Sequence, residues 1–161
     1  MEATMGPHIL LVEDDEHKRT QVLEFLQRTW ANMTVDTAAS FQAGMRLLKD
    51  RQFTFVILDM TLPNYDIGPE EDGGELRQLG GQEFLRRMKR GQLLIPTVIL
   101  TQYESFGSGR DRVDLANLRQ TLEERYGTFC KGVIYYNSSI DSWKHELKES
   151  IDAAHGKEAD G

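Results

Sequence analysis

The stretch FTFVILDMTLP, from Phe53 to Pro63, decides the fold of this chain. Its apolar and partly β-branched residues predict a short strand covered on both faces, as in the middle of a parallel sheet. The apolar run ends at a carboxylate, Asp59. Open α/β sheets bind ligands at the carboxyl ends of their strands, so Asp59 is predicted to lie at a functional edge. Taken alone, Asp59 is explained equally well as an acid that starts a turn.

Strand and helix patterns alternate along the rest of the chain. The further strand candidates are short apolar or β-branched runs: His8–Val12, Thr34–Ala38, Thr97–Thr101 and Gly132–Tyr136. Five segments are helical candidates. The first three run from Glu16 to about Trp30, from a cap at Ser40 through Asp50, and onward from near Gly81. The fourth covers about Arg112–Tyr126 with Val113 on its apolar face, and the fifth starts from a cap at Ser139 with Ile140 on its apolar face. This alternation predicts an α/β fold, one doubly wound parallel sheet of five strands with helices on both faces.

Length and composition predict one domain. Residues 1–154 are expected to form it, with a flexible tail at residues 155–161. Two stretches, at about 64–80 and 103–130, exceed the usual connections of α/β units and are expected to be insertions. A net charge of −7 and a pI near 5.1 argue against a nucleic-acid surface. The single cysteine, Cys130, and the absence of a long apolar run favour a cytoplasmic protein without membrane contact.

Acidic residues directly follow two of the predicted strands. Glu13 and Asp14 come after the first strand, and Asp59 follows the central one. If these strands are neighbours, the three carboxylates meet at one edge and repel each other unless a cation lies among them. Oxygen ligands suit Mg²⁺ (or Mn²⁺) better than Zn²⁺. A carboxylate beside such an ion can attack phosphorus, and Thr101, at the end of the fourth strand, is placed to donate its hydroxyl to a phosphoryl oxygen.

Each of these residues also has an ordinary explanation. The acids are common as turn residues, and a threonine such as Thr101 is common as a strand-end cap. Their joint occurrence at three strand ends is what favours a site.

Three segments resemble the receiver domain of two-component response regulators. They are ILLVEDDE at Ile9–Glu16, AASFQAGMRLLKDRQFTFVILDMTLP at Ala38–Pro63 and IPTVILT at Ile95–Thr101. The resemblance implies the strand order 2-1-3-4-5 that receivers share with flavodoxin.

The resemblance also implies roles for individual residues. Asp59 would be the phospho-acceptor and Thr101 the switch hydroxyl. Asp14 would bind Mg²⁺ directly and Glu13 through water, with Asp59 and the backbone carbonyl of Thr61 as further ligands. Asp15 falls on a variable position of the family and is expected to be an acid at the N-terminus of a helix.

The chain departs from the receiver pattern at the end of the fifth strand. Receivers carry a lysine there, whereas this chain has Tyr136. A tyrosine donates a hydrogen bond but no charge, so Tyr136 is expected to replace the lysine only in part. Phosphorylation of Asp59 is therefore expected to be slow, unless Arg110 or Arg112 from the inserted segment brings a cation to the site.

Three functions remain open at this point. The first is a stand-alone receiver that takes a phosphoryl group from a histidine kinase or a small phosphodonor and signals to a protein partner through region 102–136. The second is a pseudo-receiver that binds its partner without phosphorylation. Neither is an enzyme, apart from catalysing its own phosphorylation and dephosphorylation. The third is a phosphohydrolase with an aspartyl nucleophile, which fits less well because Thr61 stands where that family needs an acid.

Overall fold

The structure is a computed structural model that describes residues 6–63, 76–77, 80–107 and 109–156. Its elements follow in the order β1 (His8–Val12), α1 (Glu16–Thr29), β2 (Thr34–Ala38), α2 (Phe41–Asp50), β3 (Phe55–Leu58), β4 (Leu62–Pro63), β5 (Leu76–Arg77), α3 (Gly80–Arg90), β6 (Thr97–Thr101), β7 (Ser105–Phe106), β8 (Val113–Asp114), α4 (Leu115–Tyr126), β9 (Cys130–Tyr135) and α5 (Ser142–Ala154).

Five of the strands form one parallel sheet in the order β2-β1-β3-β6-β9. The other four form two short antiparallel hairpins, β4 with β5 and β7 with β8. With the hairpins left aside, the order is 2-1-3-4-5. The predicted doubly wound α/β fold is therefore confirmed.

Alternate residues of the central strands face two separate helical layers. Leu10 and Val56 pack among side chains of α2, α3 and α4, while Ile9 and Ile57 pack among those of α1 and α5. All four are completely buried, and each such burial contributes roughly 1.5–3 kcal/mol to folding. This explains why the central strand reads as an unbroken apolar run: it has no face towards water.

The helix around residues 112–126 starts later than predicted. Val113 lies in β8, where it pairs with Phe106 of β7, and does not lie on the helix. Asp114 caps α4, its Oδ1 accepting from Asn117 N at 2.8 Å. The predicted apolar face of this helix is otherwise correct, since Leu118 and Leu122 are buried.

The predicted cap of the last helix is wrong. α5 begins at Ser142, so Ser139 and Ile140 precede the helix, and Ile140 is 53% exposed. Asn137 explains the delay, because its Oδ1 accepts from Ser139 N at 2.9 Å and its carbonyl from Ile140 N at 3.1 Å. These bonds make a separate turn ahead of the helix.

Parts of the two predicted insertions and of the predicted tail are described. In the first insertion, Leu76–Arg77 pair with Leu62–Pro63, while residues 64–75, 78 and 79 lie outside the described residues. The second insertion contains the β7–β8 hairpin and α4. Residues 157–161 of the predicted tail also lie outside the described residues. His155, the first residue of that predicted tail, is bonded to the domain: its Nδ1 donates to Ile151 O and its Nε2 shares a hydrogen bond with Thr54 Oγ1, both at 2.7 Å. No helix in the described ranges has the length and apolarity needed to cross a bilayer.

The two serines predicted as caps provide a matched test of the helix starts. Ser40 is buried, and its Oγ accepts from Ala43 N at 3.2 Å at the start of α2. Ser40→Ala should lower the free energy of unfolding by about 1 kcal/mol, because a backbone N–H loses its partner. Ser139→Ala should leave the free energy of unfolding almost unchanged. Urea unfolding followed by circular dichroism measures both; equal losses would contradict the start of α5 at Ser142.

Candidate functional site

The register of the sheet brings the three predicted acids together. β1 and β3 are parallel neighbours with Val12 opposite Leu58, so the residues that follow, Glu13 and Asp59, leave the sheet side by side. Asp59 N donates to Val12 O at 3.0 Å. One carboxylate oxygen each from Glu13, Asp14 and Asp59 lies within 4.8 Å of the others. Glu13 and Asp59 are buried and Asp14 is half-buried.

The ionisation of the acids reflects this crowding. Burial, reinforced by the charge of Asp59, raises the pKa of Asp14 to about 6. Burial also raises the pKa of Glu13, although the ammonium of Lys18 opposes the shift. Each ionised carboxylate makes ionisation of the other two less favourable. A bound cation would remove this repulsion, so the cluster favours cation binding.

A buried lysine that the sequence reasoning missed lies among these acids. Lys18, in the first turn of α1, is 1% exposed. Its Nζ lies 2.7 Å from Glu13 Oε1, 3.2 Å from Asp59 Oδ1 and 2.6 Å from Leu100 O. One signal in the sequence was available: Lys18 stands four and eight residues before Val22 and Leu26, on the buried face of the helix.

Asp15 has the structural role that was expected of it. It is the N-cap of α1, and its Oδ1 accepts from Lys18 N at 3.0 Å. Its own amide donates to Glu13 Oε2 at 3.1 Å. Asp15 therefore fixes the start of the helix, and with it the position from which Lys18 reaches the acids.

The two threonines predicted for the site both lie beside it. Thr61 Oγ1 is 3.4 Å from Asp59 Oδ2, and its assignment as a backbone ligand stays a prediction. Thr101 ends β6, is completely buried, and accepts a bond from Tyr103 N on Oγ1 at 3.1 Å. The Thr101 hydroxyl, predicted as the switch group, is thus bonded to the segment that leads into β7.

Tyr136 follows β9 and is buried against α5. Its ring centroid lies 5.0 Å from that of Trp143 and 5.6 Å from Lys18 Nζ. Its hydroxyl has no hydrogen-bond partner among the described residues, and burial raises its pKa. Among those residues the cation paired with Asp59 is Lys18, and no ion pair joins Asp59 to Arg110 or Arg112.

A glycine allows α3 to approach the backbone of the site. Gly81 N donates to Met60 O at 2.7 Å, and a Cβ at position 81 would lie 2.6 Å from the carbonyl oxygen of Asp59. A residue with a side chain would displace the helix or this peptide, so the close approach requires glycine. The start of α3 thereby braces the segment that carries Asp59 and Thr61.

The acidic cluster fits a hard divalent cation. Three carboxylates face one lysine, so two negative charges remain uncompensated when all groups are ionised. Carboxylate oxygens are the ligands that Mg²⁺ and Mn²⁺ prefer. The half-buried Asp14 leaves this side of the cluster open to solvent, as ion entry requires.

Comparison with known proteins reveals relatives over nearly the whole chain, although no family model matches it. An uncharacterized protein, y4jR, of Sinorhizobium fredii is 30% identical over 144 residues, which cover 88% of this chain and 94% of that protein. The Detocs response regulatory protein DtcB of Enterobacter cloacae is 28% identical over 145 residues, which cover 89% of this chain and 97% of that protein.

Solved receiver structures share the fold. A response regulator receiver domain protein (CheY-like) from Methanospirillum hungatei matches with a TM-score of 0.60 and 16% identity, over 96% of this chain and 98% of that one. The chain belongs to the receiver-domain family of response regulators. Two further receivers of this fold were solved with ions: the Mn(2+)-bound form of Rcp1 (TM-score 0.61, 18% identity, 91% and 93% covered) and TrrA of Thermotoga maritima with Mg(2+)-BeF (TM-score 0.57, 16% identity, 90% and 99% covered).

Two adjacent acids of this receiver test the metal site. Asp14→Asn should abolish the stabilisation by Mg²⁺, because it removes a carboxylate of the cluster. Asp15→Asn is the matched control, since asparagine also caps helices, and it should retain the effect. In the wild type, Mg²⁺ at about ten times its Kd should add roughly 1.4 kcal/mol, a few degrees in Tm. Thermal unfolding with and without Mg²⁺ measures this; equal losses in the two variants would show that the acids are assigned in the wrong register.

Proposed function

We propose that this receiver accepts a phosphoryl group on Asp59 in a Mg²⁺-dependent reaction and signals by binding a protein partner. The observation that carries the proposal is the position of Asp59, buried at the carboxyl end of the central strand with two acids and a lysine around it. The family supports it, because response regulators with this fold act in two-component signalling.

The reaction transfers a phosphoryl group from a nitrogen or oxygen atom of the donor to a carboxylate oxygen of Asp59. A carboxylate oxygen of Asp59 attacks the phosphorus of a phosphohistidine on a kinase, or of a small acyl phosphate. The P–N or P–O bond of the donor breaks, and its electron pair leaves with the donor. Asp59 becomes an acyl phosphate that carries roughly −1.5 to −2 charges at neutral pH.

Four residues would hold the metal ion that stabilises the transferred phosphoryl group. Glu13, Asp14, Asp59 and the backbone carbonyl of Thr61 would hold Mg²⁺ (or Mn²⁺), which when bound neutralises charge on the phosphoryl oxygens. The ion-bound structures of Rcp1 and TrrA support this assignment for the fold. Burial of Glu13 and Asp59 keeps water away from the acceptor, which strengthens each of these interactions.

Thr101 connects the acceptor with the partner surface. Its Oγ1 now accepts from Tyr103 N. When the Thr101 side chain rotates to bring its hydroxyl to a phosphoryl oxygen, Oγ1 moves away from Tyr103 N, which loses its acceptor, and the segment leading into β7 is released. Tyr103 is 44% exposed, so this change occurs on the surface of region 102–136, which we propose as the partner-binding face.

The pseudo-receiver is the second candidate, and one observation favours it. Lys18 already pairs with both Glu13 and Asp59, so part of the acidic charge is compensated without a phosphoryl group. A module of this kind would keep the fold and bind its partner in one state. The phosphohydrolase is not proposed, since the chain belongs to the receiver family.

Labelling with a small donor separates the two candidates. With acetyl phosphate and Mg²⁺, the wild type should gain the mass of one phosphoryl group, and Asp59→Asn should gain none. Asp14→Asn should label at least about tenfold more slowly, because the metal no longer neutralises the developing charge. Intact-mass spectrometry over time measures all three. An unlabelled wild type that also fails to bind BeF₃⁻ would support the pseudo-receiver.

A second expected outcome is the loss of the hydrogen bond from Tyr103 N to Thr101 Oγ1. BeF₃⁻ with Mg²⁺, which mimics the phosphoryl group on Asp59, should increase hydrogen exchange at the Tyr103 amide, because its acceptor Thr101 Oγ1 turns away. Thr101→Ala is the comparison, since Tyr103 should already exchange fast there and BeF₃⁻ should add little. NMR exchange rates measure this. An unchanged Tyr103 amide in the BeF₃⁻-bound wild type would contradict the role of Thr101.

A further inference from the structure

Lys18 has no hydrogen-bonding capacity left over. Its ammonium has three N–H groups, and three acceptors surround it: Glu13 Oε1, Asp59 Oδ1 and Leu100 O. Two of these acceptors, Glu13 and Asp59, are carboxylates, which stabilise the ammonium in its buried position. A fixed, buried positive charge therefore touches the acceptor carboxylate directly.

The helix register and a neighbouring aromatic ring hold this charge in place. Asp15 fixes the start of α1, and Val22 continues the buried face that begins at Lys18. The Tyr136 ring lies 5.6 Å from Nζ, within the range of a cation–π contact. A lysine at position 136 would instead bring a second ammonium towards the first. The tyrosine there and the lysine on α1 thus form a compatible pair.

The contacts of Asp59 distinguish its two oxygens. Oδ1 is held by Lys18 at 3.2 Å. Oδ2 has a longer contact, 3.4 Å from Thr61 Oγ1. Since attack on phosphorus needs a free lone pair, Oδ2 is the oxygen better placed to form the new bond, and Lys18 stays beside the carboxyl group that receives the phosphoryl group.

We infer that Lys18 is the cation that contacts the phosphoryl group on Asp59, and that phosphorylation is passed to β6 through Leu100. The inference rests on the proposed function. When Oδ2 bonds to phosphorus and the donor bond breaks, Oδ1 loses its charge and becomes the neutral carbonyl oxygen of the acyl phosphate. Hydrogen bonds to charged acceptors are stronger than those to neutral ones, so the N–H that Oδ1 accepted turns to a charged phosphoryl oxygen. The ammonium moves with it, and its bond of 2.6 Å to Leu100 O transmits the movement to β6. Leu100 directly precedes Thr101, and the two changes therefore act on one strand end.

Kinetics of labelling test the role of the charge. Lys18→Met keeps a long side chain without charge and should slow labelling by acetyl phosphate and Mg²⁺ at least about tenfold. Lys148→Met is the matched control, because it removes the charge of an exposed lysine that pairs with Asp152 and not with the acids of the site, and it should label at the wild-type rate. Lys18→Met combined with Tyr136→Lys, which returns an ammonium from the other side, should recover part of the lost rate.

Binding of Mg²⁺ distinguishes misfolding of Lys18→Met from the loss of its positive charge. Lys18→Met should still gain Tm with Mg²⁺, because the three carboxylates remain. Slow labelling with intact Mg²⁺ binding supports the inference, and labelling at the wild-type rate overturns it.

NMR of the wild type tests the contact without any variant. Addition of BeF₃⁻ with Mg²⁺ should shift the Lys18 Nζ and Leu100 carbonyl resonances, with smaller shifts at Tyr135 and Tyr136. Unmoved Lys18 and Leu100 resonances in the BeF₃⁻-bound protein would overturn the inference alone. If the wild type neither labels on Asp59 nor binds BeF₃⁻, the proposed function fails, and the inference fails with it.

Discussion

Three carboxylates meet at one buried edge of the sheet, and the rest of the site follows from the need to stabilise them. The parallel pairing of β1 with β3 leaves Glu13 and Asp59 side by side. Taking such charges out of water is costly unless opposite charge accompanies them. Lys18 supplies one positive charge from α1, while burial and the charge of Asp59 raise the pKa of Asp14. The remaining negative charge is what a divalent ion would neutralise.

The surroundings of the acids link this charge balance to the surface. Leu100 and Thr101, at the end of β6, contact Lys18 and Tyr103 respectively. Gly81 joins the other side of the site to the start of α3 through Met60. In the proposed function, a change of charge at Asp59 would act on these packed elements, which have few alternative arrangements, and this is the physical basis of a two-state response.

Features that follow from a hydrophobic or capping pattern were predictable from the sequence. Features in which a turn or a strand pairing competes with a helix were not. The bounds of the first and fourth predicted strands and the cap at Ser40 follow from local patterns, and the structure confirms them. The fifth strand runs over Cys130–Tyr135 and not, as predicted, over Gly132–Tyr136. The start of α5 was misplaced because Asn137 makes a turn that uses the amides of Ser139 and Ile140. Val113 has helical spacing, yet pairing with Phe106 places it in a hairpin. Hydrophobic spacing does not distinguish these outcomes.

The sequence by itself determined the sheet, its covered central strand and the meeting of Glu13, Asp14 and Asp59, because parallel strands must expose their carboxyl ends at one edge. It also identified the tyrosine at the end of the fifth strand. Only the tertiary structure decided which cation reaches Asp59. Lys18 is distant from Asp59 in sequence and lies on a helix that reads as an ordinary surface helix. Its role follows from the packing of α1 on the sheet, which turns the buried face of that helix, and the lysine on it, towards the acids.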